Sequence, residues 1–189
     1  MFIQTEATPN PEVLKFLPGR ELMASGASRE FRDAGEAAAS PLAGDLFDLD
    51  GVTRVFFGED FLTVTKHPDR EWAHLKAPIL AAIMDQFTGE RPLLTEADAP
   101  IADEGVYEGE AAQIVAEIKD LLDTRIRPAV AQDGGDILFS KFEPDTGVVW
   151  LHMRGACSGC PSSAATLKSG VENMLRHYVP EVTRVEQTV

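Results

Sequence analysis

Apolar residues repeat along this chain in two rhythms, an alternating one and a helical one, and a stretch near the middle keeps neither. Near the start, Phe2-Ile3-Gln4-Thr5 and Val13-Leu14-Lys15-Phe16-Leu17 read as strands on either side of the turn Thr8-Pro9-Asn10-Pro11. Pro18-Gly19 ends the second of them. Ser28 to Ala39, rich in alanine and charge, predicts a short helix. Gly51 to Phe57 and Phe61 to Lys66 are β-branched and aromatic, and Gly58-Glu59-Asp60 between them makes a short hairpin connection. From Glu71 onward, Trp72, Leu75, Ile79, Ala82, Ile83, Gln86 and Phe87 recur at helical spacing, with Pro78 set to kink or restart the helix.

The last third of the chain is read the same way. Ile114, Val115, Ile118, Leu121, Leu122 and Ile126 form one apolar face of a helix that Pro128 ends or loosens. Asp133-Gly134-Gly135-Asp136 is a turn signal. Ile137 to Glu143 and Val148 to Arg154 predict strands joined by the turn Pro144-Asp145-Thr146-Gly147. A second helix from about Pro161 buries Ala164, Leu167, Val171, Met174, Leu175 and Tyr178 and stops at Pro180. Val182 to Val189 adds a last strand. The order helix, strand, strand, helix, strand predicts a small α+β layer structure.

Between the two patterned regions the chain changes character. Residues 88–110 hold seven acids and one base, with prolines, glycines and little apolar periodicity. Such a segment repels itself and stays extended, so it reads as a linker. The expected organisation is therefore two small α+β domains, residues 1–87 and 111–189, on either side of an acidic linker, 88–110.

Charge sharpens this picture. The chain carries −14 in all, and residues 111–189 hold ten acids and eight bases, so −12 falls on residues 1–110. That sign repels phosphate backbones and argues against nucleic-acid binding. No run of 18 or more apolar residues exists to span a membrane as a helix. The opening Met1-Phe2-Ile3-Gln4-Thr5-Glu6 resembles neither a secretory signal nor a transit peptide. A start directly on a domain favours a bacterial protein over an organellar precursor, and the expected location is the cytoplasm. There a close pair of thiols stays reduced and is more often metal-binding or redox-active than structural.

Cys157 and Cys160 are the only cysteines, and they stand in Gly155-Ala156-Cys157-Ser158-Gly159-Cys160-Pro161. Proline suits the first turn of a helix, so both sulfurs are expected at a helix N-terminus, where partial positive charge favours thiolate over thiol. Ser158-Gly159 makes a tight turn that aims both side chains one way. Turn residues between the thiols and proline after them argue against a merely buried pair. Paired thiolates on a turn suit zinc or an iron–sulfur cluster. Two thiolates cannot complete a four-coordinate site. His152 and His177 lack ligand spacing, and His67 and His74 belong to the other domain. The solution for a metal is then symmetry: two chains each give two thiolates across a two-fold axis. The redox alternative is a dithiol–disulfide oxidoreductase. Its thioredoxin form places the motif after the first strand of a βαβ unit, commonly with an aromatic residue before it. Here the pair follows a hairpin, and Ala156 precedes it. On spacing alone, metal and redox chemistry stand level.

Several stretches together resemble a known family. Ile126-Arg127-Pro128, Asp133-Gly134-Gly135-Asp136, Gly155 to Pro161 and the helix that follows are similar to the NifU C-terminal-like (Nfu) domain. Phe2 to Pro11, Leu14 to Gly19, Val55 to Gly58 and Phe61 to Val64 resemble the N-terminal domain of one branch of Nfu proteins. The resemblance implies an iron–sulfur scaffold or carrier, not an enzyme. It implies a [4Fe–4S] cluster ligated by Cys157 and Cys160, shared across a homodimer and passed to apo-proteins, with upstream assembly proteins as partners. It puts this reading ahead of the oxidoreductase, in which Cys157 attacks and Cys160 resolves, and of a zinc-bridged interaction module.

Overall fold

The computed structural model describes residues 2–95, 105–158 and 161–188. Its contacts divide the chain into two compact units, Met1–Ala99 and Pro100–Val189, each of the α+β class.

The first unit contains five strands, β1 (Gln4–Ala7), β2 (Val13–Leu17), β3 (Arg29–Phe31), β4 (Val52–Phe57) and β5 (Leu62–Lys66). They form one antiparallel sheet in the order β1-β2-β5-β4-β3. Three helices accompany it: α1 (Ala34–Ala37), α2 (Pro41–Phe47) and α3 (Trp72–Thr88). Alternation along the strands sends Phe16, Phe31, Val55, Phe57, Leu62 and Val64 into a core shared with Leu42, Leu46, Ile79 and Ile83. The helix α3 runs through Pro78 without a break.

The helix expected from Ser28 to Ala39 is mostly absent. Arg29–Phe31 is a strand, because Phe31 pairs with Val55 and buries its ring edge-on to Phe57, 5.2 Å between centroids. Glu30, on the other face, is held by Arg32 at 3.1 Å and Arg54 at 3.8 Å. These long-range partners outweigh the local helix preference of the alanines. Helix begins only after Asp33, whose carboxylate accepts the Glu36 N–H at 2.9 Å. The following helix, α2, was not expected. Its signal was in the sequence: Ser40 caps it by accepting the Ala43 N–H, and Pro41 fills the first turn.

Of the stretch expected as linker, the first part lies against the first unit. The Gln86 carboxamide donates to the carbonyls of Arg91 at 2.7 Å and Pro92 at 3.2 Å, and the Thr95 N–H donates to Ala39 O at 2.8 Å. At the other end Tyr107 packs into the second unit, where its hydroxyl accepts the Phe142 N–H at 2.7 Å. Residues 96–104 lie outside the described residues.

The second unit follows the expected order. A helix α4 (Gly109–Leu121) passes through a π-helical turn, Leu122–Ile126, into α5 (Arg127–Gln132). The hairpin β6 (Gly135–Glu143) and β7 (Val148–Gly155) comes next, then α6 (Pro161–Tyr178) and β8 (Arg184–Thr188). Their sheet has the order β6-β7-β8, with β8 parallel to β7 and α6 as the crossover between them. Ile118, Leu122, Ile126, Val149, Leu151, Val171 and Leu175 meet in its core.

Pro128 loosens the first helix without ending it. Proline has no N–H and its ring crowds the carbonyl four residues back. The π-turn accommodates this: the Arg127 N–H donates to Leu122 O, five residues back, and the helix continues to Gln132.

The ion pair of Lys168 with Glu186, 2.6 Å, ties α6 to β8. The hydrogen bond from Lys168 holds the Glu186 carboxyl below the ordinary carboxylate range. Slight burial works against this, and the charges of Lys168 and Arg184 add to it. A carboxyl with a depressed folded pKa contributes stability above its unfolded pKa and loses it as pH falls through the folded one. An NMR titration should place the Glu186 midpoint below that of an unstructured glutamate, and Lys168→Met should move it up. An unchanged midpoint in the variant would show that the clasp does not form in solution.

Candidate functional site

The turn after β7 is built from the backbone outward. Gly135, the first residue of β6, pairs with Gly155, the last of β7. Gly155 has φ 65°, a left-handed conformation that glycine adopts without strain. The chain then folds back at once. The Ala156 N–H donates to Gly134 O at 3.1 Å, and both the N–H and the hydroxyl of Ser158 donate to Gly155 O at 3.0 Å. These bonds fix residues 155–158 as a tight turn against the start of β6.

That turn carries Cys157 inward. The residue is 5% exposed and belongs to the core of the second unit. Its sulfur packs against the α-carbon of Gly135. A side chain at 135 would overlap the Cys157 Sγ and lie 2.7 Å from the Arg154 carbonyl oxygen and 3.1 Å from the Cys157 nitrogen. Glycine is required there for space. Cys160 lies outside the described residues, and α6 begins directly after it at Pro161.

Next to Gly135, Asp136 is clamped by Arg127. The guanidinium gives two parallel bonds, Nε to Oδ1 at 2.8 Å and Nη2 to Oδ2 at 2.9 Å, and a third to Asp123 at 3.1 Å. Burial of Arg127 works against its charge, but the hydrogen bonds and charges of Asp136 and Asp123 outweigh this and raise its pKa. The Asp136 carboxylate also accepts the Ile137 N–H at 2.9 Å. A bidentate pair of this kind fixes direction as well as distance, so α5 is held in register with the strand that backs the cysteine turn.

The histidines are engaged elsewhere. His152, within β7, has Nδ1 2.8 Å from the Thr188 hydroxyl of β8. His177, near the end of α6, stands edge-on to Tyr178. Among the described residues no group of three or more His, Cys, Asp or Glu side chains is placed to hold a metal ion. Sequence reasoning had singled out the cysteines. It had not found that Gly135 touches Cys157 or that Arg127 grips Asp136. The glycine doublet had been read as a turn and, with Ile126-Arg127-Pro128, as part of the family resemblance.

Comparison with known proteins bears on both units. Residues 3–90 match the family described as scaffold protein Nfu/NifU N terminal, and residues 118–186 match the NifU-like domain. NifU-like protein 4, mitochondrial, of Arabidopsis thaliana is 53% identical over 99% of this chain and 66% of its own length. NifU-like protein 5, mitochondrial, of the same plant is 52% identical over 99% and 68%. The NFU1 iron-sulfur cluster scaffold homolog, mitochondrial, of Drosophila ananassae is 51% identical over 99% and 64%. The chain thus spans about two thirds of the length of the curated relatives it matches.

These names overturn the cytoplasmic location expected from the sequence and point to mitochondria instead. The expectation had rested on the opening residues. An address segment is removed apart from folding, so residues that build the folded units carry no information about it.

Two outcomes follow from this geometry. Gly135→Ala should drive the Cys157 sulfur out of its packing and speed its alkylation by iodoacetamide by about tenfold, the order expected when a buried thiol gains access. An unchanged rate in a folded variant would show that the glycine does not confine the sulfur. Arg127→Ala should leave the buried Asp136 carboxylate without its guanidinium and destabilise the second unit by roughly 3 kcal/mol. Urea denaturation followed by circular dichroism measures this, and a loss below about 1 kcal/mol, the range of an exposed pair, would demote the clamp.

Proposed function

Because this chain belongs to the Nfu/NifU family, we propose that it is an iron–sulfur cluster scaffold and carrier with no catalytic turnover of its own. It accepts a [4Fe–4S] cluster from upstream assembly proteins, holds it through Cys157 and Cys160, and passes it to apo-proteins. The observation that carries this reading is the likeness over 99% of the chain to relatives that include a named iron–sulfur cluster scaffold homolog.

The thiol inventory shapes the mechanism. A [4Fe–4S] cluster takes four cysteine ligands, and one chain has two. A second copy supplies the others, so the cargo is held at the seam of a homodimer. Binding to the dimer alone pulls the monomer–dimer equilibrium towards association. Cys157, one of the two proposed ligands, lies against Gly135 at the start of β6. A cluster held by two thiolates from each subunit is open to incoming thiolates of a client, which replace its ligands one at a time.

Anaerobic reconstitution with iron and sulfide tests the reading. The protein should turn brown, bind about four iron per two chains, and sediment as a dimer when loaded. Cys157→Ala and Cys160→Ala should each lose stable cluster while keeping the fold. A loaded monomer with a full [4Fe–4S] spectrum would sink the shared site, and retention of the cluster by either variant would sink the ligand assignment. A colourless protein that reduces insulin disulfides would favour the oxidoreductase.

A further inference from the structure

The three-stranded sheet of the second unit ends in two edges, β6 on one side and β8 on the other. An edge strand offers outward N–H and C=O groups that another extended chain can pair with. A second copy of this chain carries the same two edges. On both of them, a side chain from outside the sheet has already taken an outward N–H group.

On β6, Phe142 stands opposite Val149 of β7, but its N–H donates to the Tyr107 hydroxyl at 2.7 Å and so faces away from β7. Tyr107 is not a strand residue. It precedes α4 and lies along β6, its ring edge-on to that of Phe139 with 6.3 Å between centroids. The ring folds back over Gly105, and a side chain at 105 would overlap it. Nearer the start of β6, the Ile137 N–H is taken by the Asp136 carboxylate at 2.9 Å. Between these points the pairing with β7 shifts register at Ser140. An extra residue of this kind bends the strand and increases its twist.

On β8, Val185 stands beside Val149 in parallel register, but its N–H donates to a Glu172 carboxylate oxygen at 3.0 Å. Glu172 belongs to α6, and its other oxygen lies 3.9 Å from Arg176, one turn further along the helix.

We propose that Tyr107 and Glu172 are edge guards, which keep the second-unit sheets of two copies of this chain from pairing edge to edge. Each supplies an oxygen where a neighbouring strand would supply a carbonyl, so the N–H group is satisfied without a partner chain. Each also sets a side chain in the path of an incoming backbone, which must come within about 4.8 Å to pair. The guards matter most when two chains are held together at a shared cluster, because their edges then meet at high effective concentration. They need no cluster to act, so the proposal goes beyond carriage and does not rest on it.

The test is sedimentation velocity and amide hydrogen exchange on the reduced, metal-free full chain at low and high protein concentration. Glu172→Ala, alone and combined with Tyr107→Ala, is compared with the unsubstituted chain. Glu172 is partly exposed and lies outside the core, so the single variant keeps the test decisive even if the tyrosine change harms folding. Glu172→Gln keeps an acceptor oxygen and removes only the charge. Both alanine variants should self-associate more readily, the double one by about tenfold, the order that one regained hydrogen bond supports. The amides they uncover, Val185 and in the double variant Phe142, should exchange fast when dilute and regain protection when concentrated. Glu172→Gln should behave like the unsubstituted chain. A Glu172→Ala chain that associates no more than the unsubstituted one, association without protection of these amides, or equal association of Glu172→Gln would each overturn the proposal. No iron is present in any arm, so failure of the shared cluster site would leave these results standing.

Discussion

A side chain at position 135 and the sulfur of Cys157 cannot share the space between β6 and the turn after β7. Much of the second unit is arranged around that exclusion. Gly135 and Gly155 face each other across the hairpin, so the chain can turn tightly enough to carry the cysteine inward. Asp136 continues the strand and is gripped by Arg127, which ties the same spot to the first helix of the unit. The π-turn before Pro128 lies directly ahead of that arginine. Loosening any one of these contacts reaches the sulfur within one or two residues.

Burial of the thiol also has a chemical meaning under the proposed function. A thiol in apolar surroundings resists oxidants and stray metal ions, whereas an exposed thiolate reacts with both. The first 110 residues hold −12 of the charge and no cysteine.

The sequence was most legible where structure is set locally. The hairpin from Phe57 to Leu62, the turn before Gly147 and the helix starting at Pro161 all follow from residues within a few positions of one another. Reading failed where distant partners decide. Ser28 to Ala39 has the composition of a helix, but Phe31 finds Val55 and Glu30 finds Arg54 more than twenty positions away, and a strand results. The short helix from Pro41 was missed although its cap was present, because a single cap and proline are weak evidence without a long apolar face behind them. At the site, chemistry made the cysteines visible. Nothing in one dimension could show that Gly135 presses on one of them, or that an arginine nine positions before Asp136 would reach it.

The π-turn at Leu122–Ile126 acts as a phase keeper. An α-helix advances about 100° per residue, and a π-turn takes up one extra residue over nearly the same rotation. Upstream of the turn, Val115 and Ile118 look into the core; downstream, Arg127 meets Asp136. Deleting one residue between 122 and 126 would leave Arg127 close to the side it now faces, but would press the Pro128 ring onto the carbonyl four residues back. Inserting one more residue, with no further bulge to absorb it, would swing the guanidinium about 100° away from its carboxylate. In this stretch an added residue reaches the site, and a lost one reaches only the proline.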